Sequence, residues 1–298
     1  MLGCDTGFGN SLARSLAGRG YRVFAFCLTE KGMEDLSKWS LLRKKQECSN
    51  TSSRATNELI PLRVDVRDMK SVENSAQIVS DLVADEGLYC LVNNAGVQLG
   101  SLLDLTDISA YELTKDINFL GVVRMCKAFL PVLKRAKNAR ILNISSAAGF
   151  ISSHSLTHYA ASKHAVSAFT TALRQELECF SIQVSTINPG FFNTPMVTQA
   201  AMRMRELFTH LPNSVKSEYG SARLESFVQD AVFASKLGGD PEEVVATIAE
   251  IVTWKSPPAV NLVGRDCKLL YWPLSFAGSD VWDAVVNLRE ADRPPMGK

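Results

Sequence analysis

Short β-branched and aliphatic runs alternate, through the first half of the chain, with longer segments whose apolar residues recur at spacings of three and four. The runs at 22–28, 59–65, 88–93, 141–145, 182–188 and 259–263 read as strands, and the segments at 10–19, 71–84, 122–135 and 159–178 as helices. A strand followed by a helix and another strand makes a parallel pair with a right-handed crossover, and helices then cover both faces of the sheet. The rhythm predicts a doubly wound α/β fold, whose ligand crevice opens at the carboxyl ends of the strands. Functional groups are therefore expected just after each strand.

Residues 37–57 are rich in Ser, Lys, Arg and Thr and read as a helix end followed by a solvated connection. After Thr194 the rhythm stops, and 199–236 carries a Met and Leu helical pattern broken at Leu211-Pro212 and Gly220. With no Pro/Gly/Ser linker between the parts, residues 1–298 read as one domain. Its first part is 1–195, and residues 196–298 form a helical elaboration.

Composition narrows the function classes. Of 298 residues 46% are apolar, ample for a large core. Thirty-two Lys plus Arg against thirty-one Asp plus Glu leave a net charge of +1, with no broad field for nucleic acid. Seven cysteines lie singly, without a CxxC pair, so neither a disulfide framework nor a metal site is expected. No apolar run reaches the roughly 18 to 20 residues of a membrane helix, and the start lacks signal-peptide order, which reads as cytoplasmic.

Several short patterns stand where ligands would bind. Gly3, Gly7 and Gly9 precede a helix, where a backbone without Cβ can approach a diphosphate closely. Asp65 and Val66 end the second strand run, and the carboxylate there could accept from an adenine amine or from backbone. Asn93-Asn94-Ala95-Gly96 follows the third run and lets the chain pass close to a ligand. Each reads equally as ordinary turn chemistry. Tyr159 and Lys163 lie four apart, hence on one helix face, where a cation could stabilise a phenolate. Ser145 and Ser146 end another strand run, Ser146 thirteen residues before Tyr159, and Asn118 sits in a helical stretch that an amide does not favour.

Taken together and in order, these pieces resemble the short-chain dehydrogenase/reductase family. Its pattern is GxxxGxG, Asp, NNAG, a helical Asn, Ser, YxxxK and PGxxxT. The chain shows Gly3 to Gly9 with Phe8 among them, Asp65, Asn93 to Gly96, Asn118, Ser146, Tyr159 to Lys163, and Pro189-Gly190 through Thr194. The resemblance spans about residues 3–270. The GCDTGFG start, the CLTEKG stretch, and Gly264-Arg265-Asp266 with the following KLL and Trp272-Pro273 look like the retinol dehydrogenase and 17β-hydroxysteroid dehydrogenase branch.

The resemblance implies a Rossmann sheet and hydride transfer between a nicotinamide cofactor and an apolar alcohol or ketone, a retinoid or steroid. Tyr159 would exchange the proton, Ser146 hold the substrate oxygen, Lys163 lower the phenol pKa and bind ribose, and Asn118 support a water relay. Cofactor contacts would come from Gly3, Gly7, Phe8, Gly9, Asp65, Val66, Asn93, Ala95, Gly96, Tyr159, Lys163, Pro189, Gly190 and Thr194, with no metal. NAD is expected and NADP is the alternative, because Cys27 holds the usual acidic place while Thr29, Glu30 and Lys31 crowd beside it. Phe191, Phe192, Met196, Met202, Met204, Leu207 and Phe208 would line an apolar lid, and His154 and His158 read as loop histidines satisfied by water. A homodimer or homotetramer through the helices at 122–135 and 159–178 is expected.

One departure stands out. Only Met1 and Leu2 precede the first glycine, so the central first strand reads as truncated, leaving its neighbours' inner edges unpaired. That allows a second reading, a catalytically inactive binding or regulatory protein. It also leaves open residence at the endoplasmic reticulum through an anchor ahead of Met1.

Overall fold

The computed structural model describes residues 1–47 and 58–291. Six parallel strands form two sheets, one of two strands and one of four: β1 (Val23–Cys27), β2 (Leu59–Arg63), β3 (Cys90–Asn93), β4 (Arg140–Ile144), β5 (Gln183–Pro189) and β6 (Val260–Val263). β1 pairs with β2, and β3, β4, β5 and β6 pair in that order. Strands β1 and β4 are buried along their whole length, as expected where helices cover both faces.

The two halves are joined by residues 1–4. Leu2 bridges Phe26 in parallel, Leu2 N donates to Val92 O at 2.9 Å, and Cys4 N donates to Phe26 O at 3.0 Å. Phe26 N returns a bond to Met1 O at 2.8 Å. The first strand is thus reduced, as expected, to a stub that meets its neighbours through a few backbone groups, and β1–β2 and β3–β6 otherwise pair as separate sheets. A short extended segment carries backbone groups on both sides, so it bonds both neighbours at the carboxyl ends where the site lies. Met1 packs into the core on one face and Leu2 into the core on the other.

Helices α1 (Gly7–Gly18) and α2 (Glu30–Glu47) follow, so the polar stretch from 37 is helical up to Glu47, and 48–57 lie outside the described residues. Next come α3 (Met69–Val83), α4 (Ile108–Lys115), α5 (Gly121–Leu133) and α6 (Thr157–Leu177). Leu12 and Leu16 of α1 share one core with Val23 and Ile187. Val72, Phe129 and Val166 share the other with Phe24, Leu91 and Val184.

Beyond β5 the chain forms α7 (Pro195–His210), α8 (Asn213–Tyr219) and α9 (Ser221–Leu237), broken at the predicted Leu211-Pro212 and Gly220. Gly220 has φ +77°, a left-handed conformation suited to ending one helix and turning into the next. The chain ends in α10 (Pro241–Ile251), β6, α11 (Trp272–Ser275) and α12 (Ser279–Ala291).

Candidate active site

The site forms at the carboxyl ends of the strands, where three loops close on one another. At Gly3 (φ +68°) a Cβ would fall 2.8 Å from the Ala95 Cα, and at Gly9 a Cβ would fall 2.1 Å from the Gly3 carbonyl oxygen. Asn94 Nδ2 donates to the carbonyls of Leu2 and Gly3, at 3.2 and 3.1 Å. The glycine turn and the loop after β3 are thus stitched together, with α1 opening beneath them. Gly7 (φ +58°) faces Pro195 Cδ at 4.0 Å from its would-be Cβ, so the loop after β5 closes the third side. Bare backbone at a helix start is the cradle a dinucleotide's diphosphate needs, and the residues fit such a cofactor.

Asn118 lies in a π-helical turn, Asp116–Leu120, set between α4 and α5. It is fully buried; its Oδ1 accepts from Val97 N at 2.8 Å, and its Nδ2 donates to Val97 O at 2.9 Å and Ser162 Oγ at 3.0 Å. A Cβ on Gly96 would stand 3.5 Å from Asn118 Oδ1 and 3.6 Å from Lys163 Nζ, so these groups converge on one point.

Ser146 begins the turn after β4, accepting from Ala148 N at 3.2 Å, and its side chain lies beside the Tyr159 phenol. Ser145 instead turns inward to Lys163 O and Ser167 Oγ, at 3.1 and 3.0 Å. Burial pushes the Tyr159 phenol up to about 12, against the pull of Ser146. Lys163 Nζ donates to Ile144 O at 2.8 Å, is pushed down to about 8 by burial, and sits 5.6 Å from the Tyr159 ring centre. The Lys163 ammonium is thus held by the Ile144 carbonyl, close to the phenol.

The remaining expected residues divide between loop and core. Asn93 is buried, with Nδ2 donating to Asn143 Oδ1 at 2.8 Å, so its side chain ties β3 to β4. Arg67 clamps Asp65 at 2.7 Å and holds its carboxyl below the usual range, and Val66 is buried against Gly121. Phe8 packs edge-on against Phe192 at 6.1 Å. Thr194 precedes α7 at the end of the Pro189-Gly190 loop.

The sequence matches the family described as short chain dehydrogenase over residues 1–204. The chain belongs to the short-chain dehydrogenase family. It is 33% identical over 293 residues to "Retinol dehydrogenase 5" of Mus musculus, covering 96% of this chain and 86% of the relative. It is 33% identical over 300 residues to "17-beta-hydroxysteroid dehydrogenase type 6" of Homo sapiens, with the same 96% and 86% coverage. Its fold matches that of a short chain dehydrogenase/reductase from Burkholderia phymatum in complex with NAD. There the TM-score is 0.67 at 22% identity, over 99% of this chain and 95% of that one.

This short-chain dehydrogenase also uses residues that its sequence did not mark. Asp5, inside the glycine turn, accepts from Leu28 N and Thr29 N at 2.9 Å each and from Thr29 Oγ1 at 2.6 Å. A carboxylate thus stands at the end of β1 after all, reached from the neighbouring loop, while burial pushes the Cys27 thiol up to about 12. The one available signal was an acid among glycines. Among the described residues no group of His, Cys, Asp or Glu could hold a metal ion.

The expected lid is only partly a lid. Phe192 lies in the main core, and Met204 and Phe208 form a small core between α7 and α9, because those helices need an interior of their own. Met196 Cε does reach the site, 3.8 Å from a Cβ on Gly96, while Phe191 and Met202 are exposed. His158 is not a water-satisfied loop residue, since it is buried at the start of α6 and accepts from Gly100 N at 3.0 Å, whereas His154 lies in the turn before α6 and packs on Phe227.

Proposed function

We propose that this chain is an NAD-dependent dehydrogenase that interconverts an apolar secondary or primary alcohol, of the retinoid or steroid class, with its carbonyl form. The observation that carries the reading is the convergence of Lys163 Nζ and Asn118 Oδ1 on Gly96, with the Ser146 side chain beside the Tyr159 phenol at the same strand ends. The bound dinucleotide supplies the nicotinamide carbon that takes or gives hydride. Ser146 holds the substrate oxygen, and Tyr159 exchanges the hydroxyl proton at its phenol oxygen. Lys163 contributes a cation close to that phenol and a donor toward a ribose. Asn118, locked by Val97 and Ser162, keeps the loop after β3 at a fixed distance from both.

The glycine turn Gly3, Gly7, Phe8 and Gly9 receives the diphosphate in this proposal. Asp65 and Val66 would hold the adenine, the backbone of Asn93, Ala95 and Gly96 would line the cofactor, and Pro189, Gly190 and Thr194 would hold the nicotinamide end. The preference for NAD is supported by Asp5, whose charge at the end of β1 repels a 2′-phosphate, with Glu30 nearby. Residues 1–195 form the cofactor and catalytic part and 196–298 shape the substrate side of one domain. The substrate class is supported by the relatives' names and by Met196 beside the catalytic groups.

A homodimer or homotetramer through α5 and α6 belongs to the same proposal, supported by the partly exposed Ile117, Phe119 and Phe169 beside those helices. No helix of the described residues is long and apolar enough to cross a membrane. We place the chain in the cytoplasm, or at the endoplasmic reticulum if a further segment anchors it.

The test is NADH formation with NAD and a panel of retinol and hydroxysteroids. The expected outcome is turnover that falls at least about a hundredfold in Tyr159→Phe, the scale of a lost general base, while NADH binding persists. Turnover that survives the substitution would sink the assignment.

A further inference from the structure

The loop from Pro189 to Thr194 is gripped from the C-terminal side of the fold. Gly190 N donates to Val263 O at 2.9 Å, and Cys267 Sγ donates to Asn188 O at 3.2 Å. Between these bonds stands Asp266, whose Oδ2 accepts from Phe191 N at 2.7 Å. The carboxylate lies so close over Gly190 that a Cβ there would fall 2.2 Å from Oδ1 and 2.4 Å from Oδ2. Gly264, at φ +96°, turns the chain back so that Asp266 reaches the loop. The Gly-Arg-Asp triplet, singled out in the sequence without a role, is thus the element that meets the family's Pro-Gly loop.

We propose that Asp266 is a positioning residue for the nicotinamide end of the cofactor, acting through the Phe191 amide. The inference rests on the NAD-dependent reading above. The loop leaves β5, is bridged at Phe192 by Gly239, whose N donates to Phe191 O at 2.9 Å and whose O accepts from Asn193 N at 3.0 Å, and then delivers Thr194 and Pro195 to the glycine turn, with Pro195 Cδ 4.0 Å from a Cβ on Gly7. A charge-assisted bond to a backbone amide fixes the loop at its midpoint. Without it the Gly190-Phe191 stretch between β5 and the Gly239 bridge loosens on the nicotinamide side, whereas the adenosine side, held by Gly3, Gly9, Asp5 and Asn94, is built from other elements and stays in place.

The test compares two probes, NADH and ADP-ribose, which share the adenosine diphosphate but differ in the nicotinamide. Binding is followed by quenching of tryptophan fluorescence for NADH and by calorimetry for ADP-ribose. Asp266→Ala is expected to weaken NADH about tenfold, the scale of one lost charge-assisted hydrogen bond, and to leave ADP-ribose within about twofold. Asp266→Asn keeps an acceptor oxygen for Phe191 N and is expected to bind NADH within about threefold of the parent. Equal NADH affinity in Asp266→Ala overturns the proposal, and so does a parallel loss of both probes, which marks general damage to the fold. A parent chain that binds ADP-ribose but not NADH, or neither, overturns the dehydrogenase reading and this proposal with it.

Discussion

His158 stands one position before Tyr159, and its imidazole settles the shape of the neighbouring loop. Nε2 accepts from Gly100 N at 3.0 Å, the ring meets Tyr111 edge-on at 5.7 Å, and burial pushes the group down to about 4. The loop after β3 is therefore held at Val97 by Asn118 and at Gly100 by His158. His158→Leu would leave a buried amide unpaired, and the expected loss is about 1 to 3 kcal/mol in denaturant unfolding at neutral pH. The same bond has a pH signature. Since the folded value of about 4 lies below the ordinary 6.5, the unfolded chain takes up the proton first, so the contribution is intact above 6.5. It is lost progressively as pH falls from 6.5 through 4, and His158→Leu should flatten that part of the stability profile. A profile identical in parent and variant would show that other groups govern the acid limb.

At the scale of elements, the segment 1–4 does the work of a strand with very little chain. Leu2 is 2% exposed, bonds Val92 O through its amide, and buries its side chain with Phe24, Phe26 and Phe129. Leu2→Ala is expected to cost about 2 to 5 kcal/mol, as for other buried leucines cut to alanine, and to weaken NADH binding because Gly3 follows directly. Chemical denaturation and fluorescence titration would check the two effects. A stability loss under about 1 kcal/mol would mean that the segment is not held between β1 and β3. The π turn at Asp116–Leu120 is a second device of this kind: one extra residue in the turn faces Asn118 toward Val97 and Ser162 within an otherwise regular α4–α5 run.

Across the whole molecule, stability is unevenly distributed. Two cores lie on the two faces of the sheet, and a third, small one joins Met204, Phe208, Leu224, Phe227 and Val228 with Leu105. That third core is tied to the loop after β3 by Arg203 to Gln98 O at 3.1 Å and by Tyr219 to Asp104 at 2.5 Å. A region resting on so few buried groups opens at a lower free energy than the sheet does. Amides of α7 and α9 are expected to exchange with deuterium well before those of β3, β4 and β5, and mass-spectrometric exchange would reveal it. Exchange of both regions at one common free energy would instead mark a single cooperative unit.

The periodicity of the chain was enough to locate the six strands and helices α1, α3, α5 and α6, since burial on two faces forces long apolar runs and burial on one forces a stripe, whereas it did not locate α4 and α10. The breaks at Pro212 and Gly220 were equally legible, because both residues act on the local backbone. Motif order identified Ser146, Tyr159, Lys163 and Asn118 as a set. What spacing could not supply was the partner of each side chain. The Ile144 carbonyl that holds Lys163, the β1 end that Asp5 reaches, the amide that His158 caps and the loop that Asp266 grips all lie far off in sequence. Nor could it show that residues 1–4 bond both β1 and β3, or that Met204 and Phe208 face a core of their own. Hydrogen bonds and packing between distant segments depend on where the folded chain brings them, and a local pattern of residue types carries no record of that position.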